Sequence, residues 1–140
     1  MDVEPGIGML LGWDVLHGPS HTIVGALLIA SLVVWISPRI CTPLLMRFNH
    51  EARHYGQEWL CEPDVISRTA LVTGAFFGTL SHLVLDSFMH RDIRPLYPFT
   101  QLNPLRDLVS HDGVYQLCMA AGAIGTLAWV TLKWASRPRQ

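Results

Sequence analysis

A chain of 140 residues and 15.7 kDa has room for one domain. Half of its residues are apolar, 15% are charged against about 25% in a typical soluble domain, and mean hydropathy is +0.30. That balance excludes a disordered chain, a coiled coil and an ordinary soluble domain, and it points to apolar spans. Lys and Arg (10) nearly cancel Asp and Glu (11), for a net charge of −1 with the seven His neutral. There is no basic excess to hold a phosphate backbone, so no nucleic-acid partner is expected. Cys41, Cys61 and Cys118 are odd in number and lack ligand spacing, so neither a disulfide framework nor a zinc knuckle is expected.

The first sixteen residues carry Asp2, Glu4 and Asp14 and no Lys or Arg, the reverse of a signal peptide's basic start. No cleaved leader is therefore expected. Three apolar stretches follow, at about 19–36, 69–85 and 114–132. Each is close to the roughly 17–25 helical residues that cross a hydrocarbon core. Pro19 suits a first helical position, where its missing N–H has no intrahelical partner. Between the first two stretches, Thr42 can cap a helix that starts at Pro43. Leu44, Leu45, Phe48, Ala52 and Tyr55 then share a face, which predicts an amphipathic interfacial helix over about 43–55. The three prolines and Asn103 of 95–104 predict an irregular loop. In the third stretch, Ala120, Ala121, Gly122, Ala123 and Gly125 suit close helix packing in lipid. The expected fold is an all-α membrane protein, a single membrane domain over 1–140, with about three transmembrane helices and one interfacial helix.

Sidedness follows from the basic residues. The first connection holds Arg39, Arg47, Arg53 and Arg68, the second Arg91, Arg94 and Arg106, and the tail Lys133, Arg137 and Arg139. Placing the first connection and the tail in the cytoplasm puts seven basic residues inside and three outside. The expected location is the cytoplasmic membrane, with the N-terminus outside and the C-terminus inside. Membrane lipid is then the expected partner. Three short spans enclose little space, so a homo-oligomer or a membrane partner is also plausible.

Two constellations carry candidate chemistry. His17 and His21 flank the start of the first span, and His82, Asp86 and His90 close the second at i, i+4, i+8 spacing, one helical face. Span one starts and span two ends on the same side, so both pairs meet at one membrane level, as do His111 and Asp112. His17, His21, His82 and Asp86 make a four-ligand set of the kind zinc takes. The same groups also suit structural polar residues or a proton pathway. An ionisable group costs about 2.5–3.5 kcal/mol at the bilayer centre and less at its edge. The second constellation is His50-Glu51-Ala52-Arg53-His54, a literal H-E-x-x-H, an alternative metal site of the zinc-protease type. Arg53 inside the motif, Gly56 soon after it and the lack of a spaced third ligand favour a solvated polar face instead.

HGPSHTIVGALL resembles the H-x-x-[ST]-H-[ST] motif of small membrane-bound, metal-dependent hydrolases, a family that includes the bacterial LexA-regulated inner-membrane proteins. SHLVLDSFMHRDIRPLYPF resembles the same family's H-x-x-x-D motif and the loop to an aromatic-Pro pair. The resemblance covers about 40 residues and the span pattern. It implies His17, His21, His82 and Asp86 as metal ligands and a hydrolase activity. The family's acidic Asp-x-Asp-His stretch is reduced here to Asp14 before His17, which leaves the set short of a ligand or a second metal.

The resulting expectation is a divalent metal, zinc first, that activates water against an ester or phosphoester of a lipid-like substrate. Asp14 or His90 would act as general base, and Arg91 and Arg94 would hold a phosphate. The rivals are a non-catalytic metal protein, or a haem protein ligated by His21 and His82, a zinc protease using His50, Glu51 and His54, and a subunit of a larger complex.

Overall fold

The structure is a computed structural model and describes residues 1–137. Arg139, counted above for sidedness, lies outside the described residues. Four α-helices follow in order, α1 (Val3–Leu11), α2 (Ile23–His54), α3 (Arg68–Met89) and α4 (His111–Ala135). Short 3-10 turns at Pro19–His21 and Glu58–Leu60 precede and follow α2. There is no strand among the described residues. α2, α3 and α4 are long and apolar enough to cross a membrane, with best-window mean hydropathies of 2.0, 1.3 and 1.4. At most 11% of each window is buried inside the protein, so the apolar surface needs lipid rather than water around it. This is an all-α integral membrane protein.

α1 closes at Gly12, whose positive φ of 69° makes a left-handed cap, and the Trp13 N–H returns to the Gly8 carbonyl. The linker then reaches the Pro19–His21 turn, which folds back over the first turn of α2. The Thr22 hydroxyl holds this corner, accepting from the Gly25 N–H at 3.0 Å and donating to the Pro19 carbonyl at 2.9 Å. A Cβ on residue 25 would collide with the Pro19 carbonyl, so glycine is required there. The helix therefore begins at Ile23, four residues after the expected start, because the Pro19 backbone is spent on the turn.

α2 differs most from the sequence expectation. The expected separate helix over 43–55 is the second half of one 32-residue helix, with Pro38 and Pro43 inside it. Each proline removes one backbone donor, a loss that helices in lipid accommodate. At 1.5 Å per residue α2 runs about 48 Å, beyond a hydrocarbon core of about 30 Å. Ala52, expected on the membrane-facing side, turns to protein instead. Asn49 and Ala52 are buried, while Leu44, Phe48 and Tyr55 point outward.

α3 packs antiparallel on α2. Ala26 and Ala30 of α2 are fully buried and let α3 approach, and Leu83 and Ile93 complete a small core with Ala26. The 91–110 segment is irregular, as its prolines predict. It is tied back at defined points. Ile23 N–H donates to the Pro95 carbonyl at 2.9 Å, and Asn103 Nδ2 donates to the Ser87 carbonyl at 2.9 Å. α4 is mostly exposed, with Val114 its one buried residue among those described.

The end away from the His-rich segments is locked by polar contacts. Fully buried Asn49 donates to the Glu62 carbonyl and to Asp64 Oδ1, both at 2.7 Å, and accepts from Glu62 N at 3.0 Å. Lys133 of α4 pairs with Glu62 at 2.9 Å and donates to the Cys61 carbonyl at 3.0 Å. Arg137 stacks on Trp59 at 3.8 Å. Asn49→Ala leaves the part-buried Glu62 N–H and carbonyl without their partner, which costs about 1–3 kcal/mol. A thermal melt in detergent micelles should fall by several degrees for Asn49→Ala and stay unchanged for the adjacent, exposed His50→Ala.

Candidate functional site

The Pro19–His21 turn drops His21 into the gap between α1 and α3. There it meets His82 and Asp86, one turn apart on α3, and Asp2 at the start of α1. One ligand atom from each of Asp2, His21, His82 and Asp86 lies within 4.8 Å of all the others. His82 Nε2 is 3.0 Å from both Asp86 Oδ2 and Asp2 Oδ1, and His21 Nε2 is 3.4 Å from Asp86 Oδ2.

The tautomer of His21 follows from its other contacts. Ser20 Oγ donates to Glu4, a carboxylate that in its ionised form only accepts. Ser20 Oγ must then accept from His21 Nδ1, which lies 2.9 Å away. The Nε2 of a neutral His21 therefore carries a lone pair rather than a proton. That atom is fully buried, has no hydrogen-bond partner, and faces the Asp86 carboxylate. Acceptor facing acceptor in a buried site is unfavourable unless a proton or a cation sits between them.

A second group adjoins the first. His17, expected in the same set as His21, is drawn instead to Asp92. Its Nδ1 lies 2.9 Å from Asp92 Oδ1, while the Leu16 and His17 amides both donate to Asp92 Oδ2 at 3.0 Å. His90 stacks on His17 with ring centroids 4.2 Å apart. His17, His90 and Asp92 again offer ligand atoms within 4.8 Å of one another. The His17 and His21 rings meet edge to face at 4.8 Å, so the two groups are neighbours. Burial raises the Asp92 carboxyl, but the bonds from His17 outweigh it and hold the group at about 2. Burial, then the neighbouring His17, pushes the His90 imidazole below its ordinary value. At neutral pH Asp92 is therefore an anion and His90 is neutral.

Other expected residues lie elsewhere. Asp14 is exposed on the linker and belongs to neither group. His111 stands 6.4 Å from His90, ring to ring, at the rim. Arg91 is exposed, whereas Arg94 borders a cavity of about 270 Å³ with His17, Thr22, Asp92 and Tyr97. His50, Glu51 and His54 are exposed on α2, and no metal-binding group among the described residues includes them. The haem geometry fits poorly. His21 and His82 direct Nε2 at the same Asp86 oxygen, leaving no slot for a porphyrin between them.

Asp2 and Asp92 were not singled out from the sequence. Asp2 lies 80 residues from its partner His82, and no spacing rule connects them. Asp92 sits two residues after His90 in a segment without helical periodicity, so its return to His17 is visible only in three dimensions.

No curated protein and no solved structure matches this chain. The model of the YdjM inner membrane protein family matches residues 8–138, nearly the whole sequence, and the chain belongs to that family.

Proposed function

We propose that the chain is a membrane-embedded, metal-dependent hydrolase acting on an ester or phosphoester of a lipid-like substrate. The cation, zinc first, would be held by His21, His82, Asp86 and Asp2. The observation that carries this reading is the buried, unpartnered Nε2 of His21 aimed at two carboxylates. Two imidazoles and two carboxylates match the ligand types zinc prefers. Bound there, the cation would supply Lewis acidity and make a water nucleophilic near neutral pH.

The chain's own residues prepare the site. Glu4 and Ser20 set the His21 tautomer and ring plane, the outer-shell role that metal-ligating histidines need. The Asp2 side chain is 70% exposed against 13% for Asp86, so Asp2 is the ligand placed to yield to water or substrate. Hydrolysis adds water across the ester, breaks the bond to the leaving oxygen and returns a proton to it.

Two cavities favour an amphiphilic substrate. One of about 260 Å³ runs from His82 along the α2–α3 surface, past Val33, Gly74, Ala75 and Gly78. Gly74 and Gly78 face open space there. Its walls suit an acyl chain. The Arg94 cavity on the other flank suits an anionic headgroup. The charge bias supports an outward-facing site, with the C-terminus in the cytoplasm.

Protein purified in mild detergent should carry zinc by mass spectrometry. His21→Ala and His82→Ala should each lose an equivalent that His50→Ala and His54→Ala keep. Loss in His50→Ala and His54→Ala, with His21→Ala and His82→Ala unchanged, would move the metal to the H-E-x-x-H segment.

Metal-loaded protein should cleave at least one member of a phospholipid and carboxylester panel in mixed micelles. Gly78→Leu, which fills the groove, should slow long-chain substrates at least tenfold and retain zinc. A fully loaded protein that cleaves nothing in the panel overturns the hydrolase reading.

A C-terminal green fluorescent protein fusion should fluoresce, and a C-terminal alkaline phosphatase fusion should be inactive. The opposite pair of results inverts the orientation.

A further inference from the structure

We infer that His17, His90 and Asp92 form a second cation position beside the first, making a two-cation centre whose substrate is a phosphoester. The choice of substrate rests on the hydrolase reading above, whereas the position itself rests on geometry. The three residues come from separate places in the fold, the α1–α2 linker, the end of α3 and the loop beyond it. They nonetheless place one ligand atom each within 4.8 Å of the others.

Asp92 is fixed for this role. The Leu16 and His17 amides both donate to Oδ2, and the His17 ring lies against both carboxylate oxygens, with Nδ1 2.9 Å from Oδ1 and 3.0 Å from Oδ2. The loop is pinned on the other side by the bond from Ile23 N–H to the Pro95 carbonyl. Two imidazoles and one carboxylate form an open three-ligand set, which leaves room for water or substrate oxygen. The His17 and His90 rings, with centroids 4.2 Å apart, bring both imidazoles within reach of one cation.

Contact between the His17 and His21 rings sets the two positions side by side. Adjacent divalent cations about 3.5–4 Å apart recur in enzymes that displace groups at phosphorus, where they stabilise attacking and leaving oxygens together. The Arg94 cavity opens on His17 and Asp92, so a phosphoryl group entering there meets the second position first. In this assignment the His90 lone pair binds a cation, and His90 is a ligand rather than the general base expected from the sequence. Hydrolysis needs only water as co-reactant. Its oxygen bonds to phosphorus, the P–O bond to the leaving group breaks, and the proton goes to the departing alkoxide.

The test is a zinc count on detergent-purified protein, stripped with chelator and refilled with Zn2+. Two equivalents per chain are expected in wild type, one in His90→Ala and one in His82→Ala, with His50→Ala unchanged at two. One equivalent in wild type, unchanged in His90→Ala, overturns the second position and leaves the first standing. If that single ion is held more weakly in Asp92→Asn, the Asp92 carboxylate only orients His17. No zinc in wild type overturns both. Should His90→Ala fail to fold, Co2+-loaded wild type still decides. Electron paramagnetic resonance should show a coupled pair, and a signal from isolated ions alone overturns the inference.

Discussion

The Pro19 carbonyl occupies the space that a side chain on residue 25 would fill, and the rest of the site depends on that contact. Because Gly25 has no Cβ, the Pro19–His21 turn lies flat against α2. The flat turn places His21 inside the helix interface, fully buried, rather than at the membrane surface. It also frees the Ile23 N–H to reach Pro95, which pulls the long loop over the helix ends. That loop delivers Asp92 to His17. One glycine therefore couples the first span, the end of the second and the segment between the second and third. Gly18 makes a related allowance, since a side chain there would strike the Glu4 carboxylate that holds Ser20.

Charge accounts for what the site requires. Asp2, Asp86 and Asp92 converge with His17, His21, His82 and His90 at the edge of an apolar layer. Ionisable groups at that depth are disfavoured, less so near the interface than at the centre. The Glu4–Ser20 chain fixes the Nδ1–H of His21 and leaves a lone pair facing the Asp86 carboxylate. On the proposed reading a divalent cation would resolve this, because it would turn several mutually repelling acceptors into ligands. On that reading proton and cation would compete for the same lone pairs, and occupancy would depend on pH through these residues.

The sequence discloses what depends on local spacing and hides what depends on chain return. Apolar runs of the right length marked the three long helices, and i, i+4 spacing placed His82 and Asp86 on one face. The prolines of 95–104 marked an irregular segment. The boundary within α2 was misread because Thr42-Pro43 has the pattern of a helix start, whereas in a long lipid-exposed helix the backbone bond lost at a proline is tolerated. The apolar face of 43–55 divides, with Leu44, Phe48 and Tyr55 pointing outward and Ala52 turning inward beside Asn49. The outside is itself apolar, so Leu44, Phe48 and Tyr55 gain nothing by seeking the interior, and buried Asn49 takes that position through its bonds to Glu62 and Asp64. His17 was grouped with His21 by proximity in sequence, yet Asp92 outcompetes that grouping with four contacts to Leu16 and His17.

The contrast between the two histidine constellations shows why convergence outweighs motif. His50, Glu51 and His54 have the spacing of a zinc-protease helix, and a helix does set His50 and His54 on one face. A site also needs a third element to bring a ligand and a wall to exclude water. Near His50 the neighbouring chain brings Glu62 and Asp64, but Asn49, Arg53 and Lys133 occupy them. Their hydrogen-bonding capacity goes into holding α2, α4 and the connection together. At the other end, α1, the Pro19–His21 turn, α3 and the following loop all contribute donors to one small volume. The imidazole aimed into that volume, His21, has an Nε2 with no partner in the protein. The fold thus uses its polar residues for cohesion at one end and keeps them available for a ligand at the other.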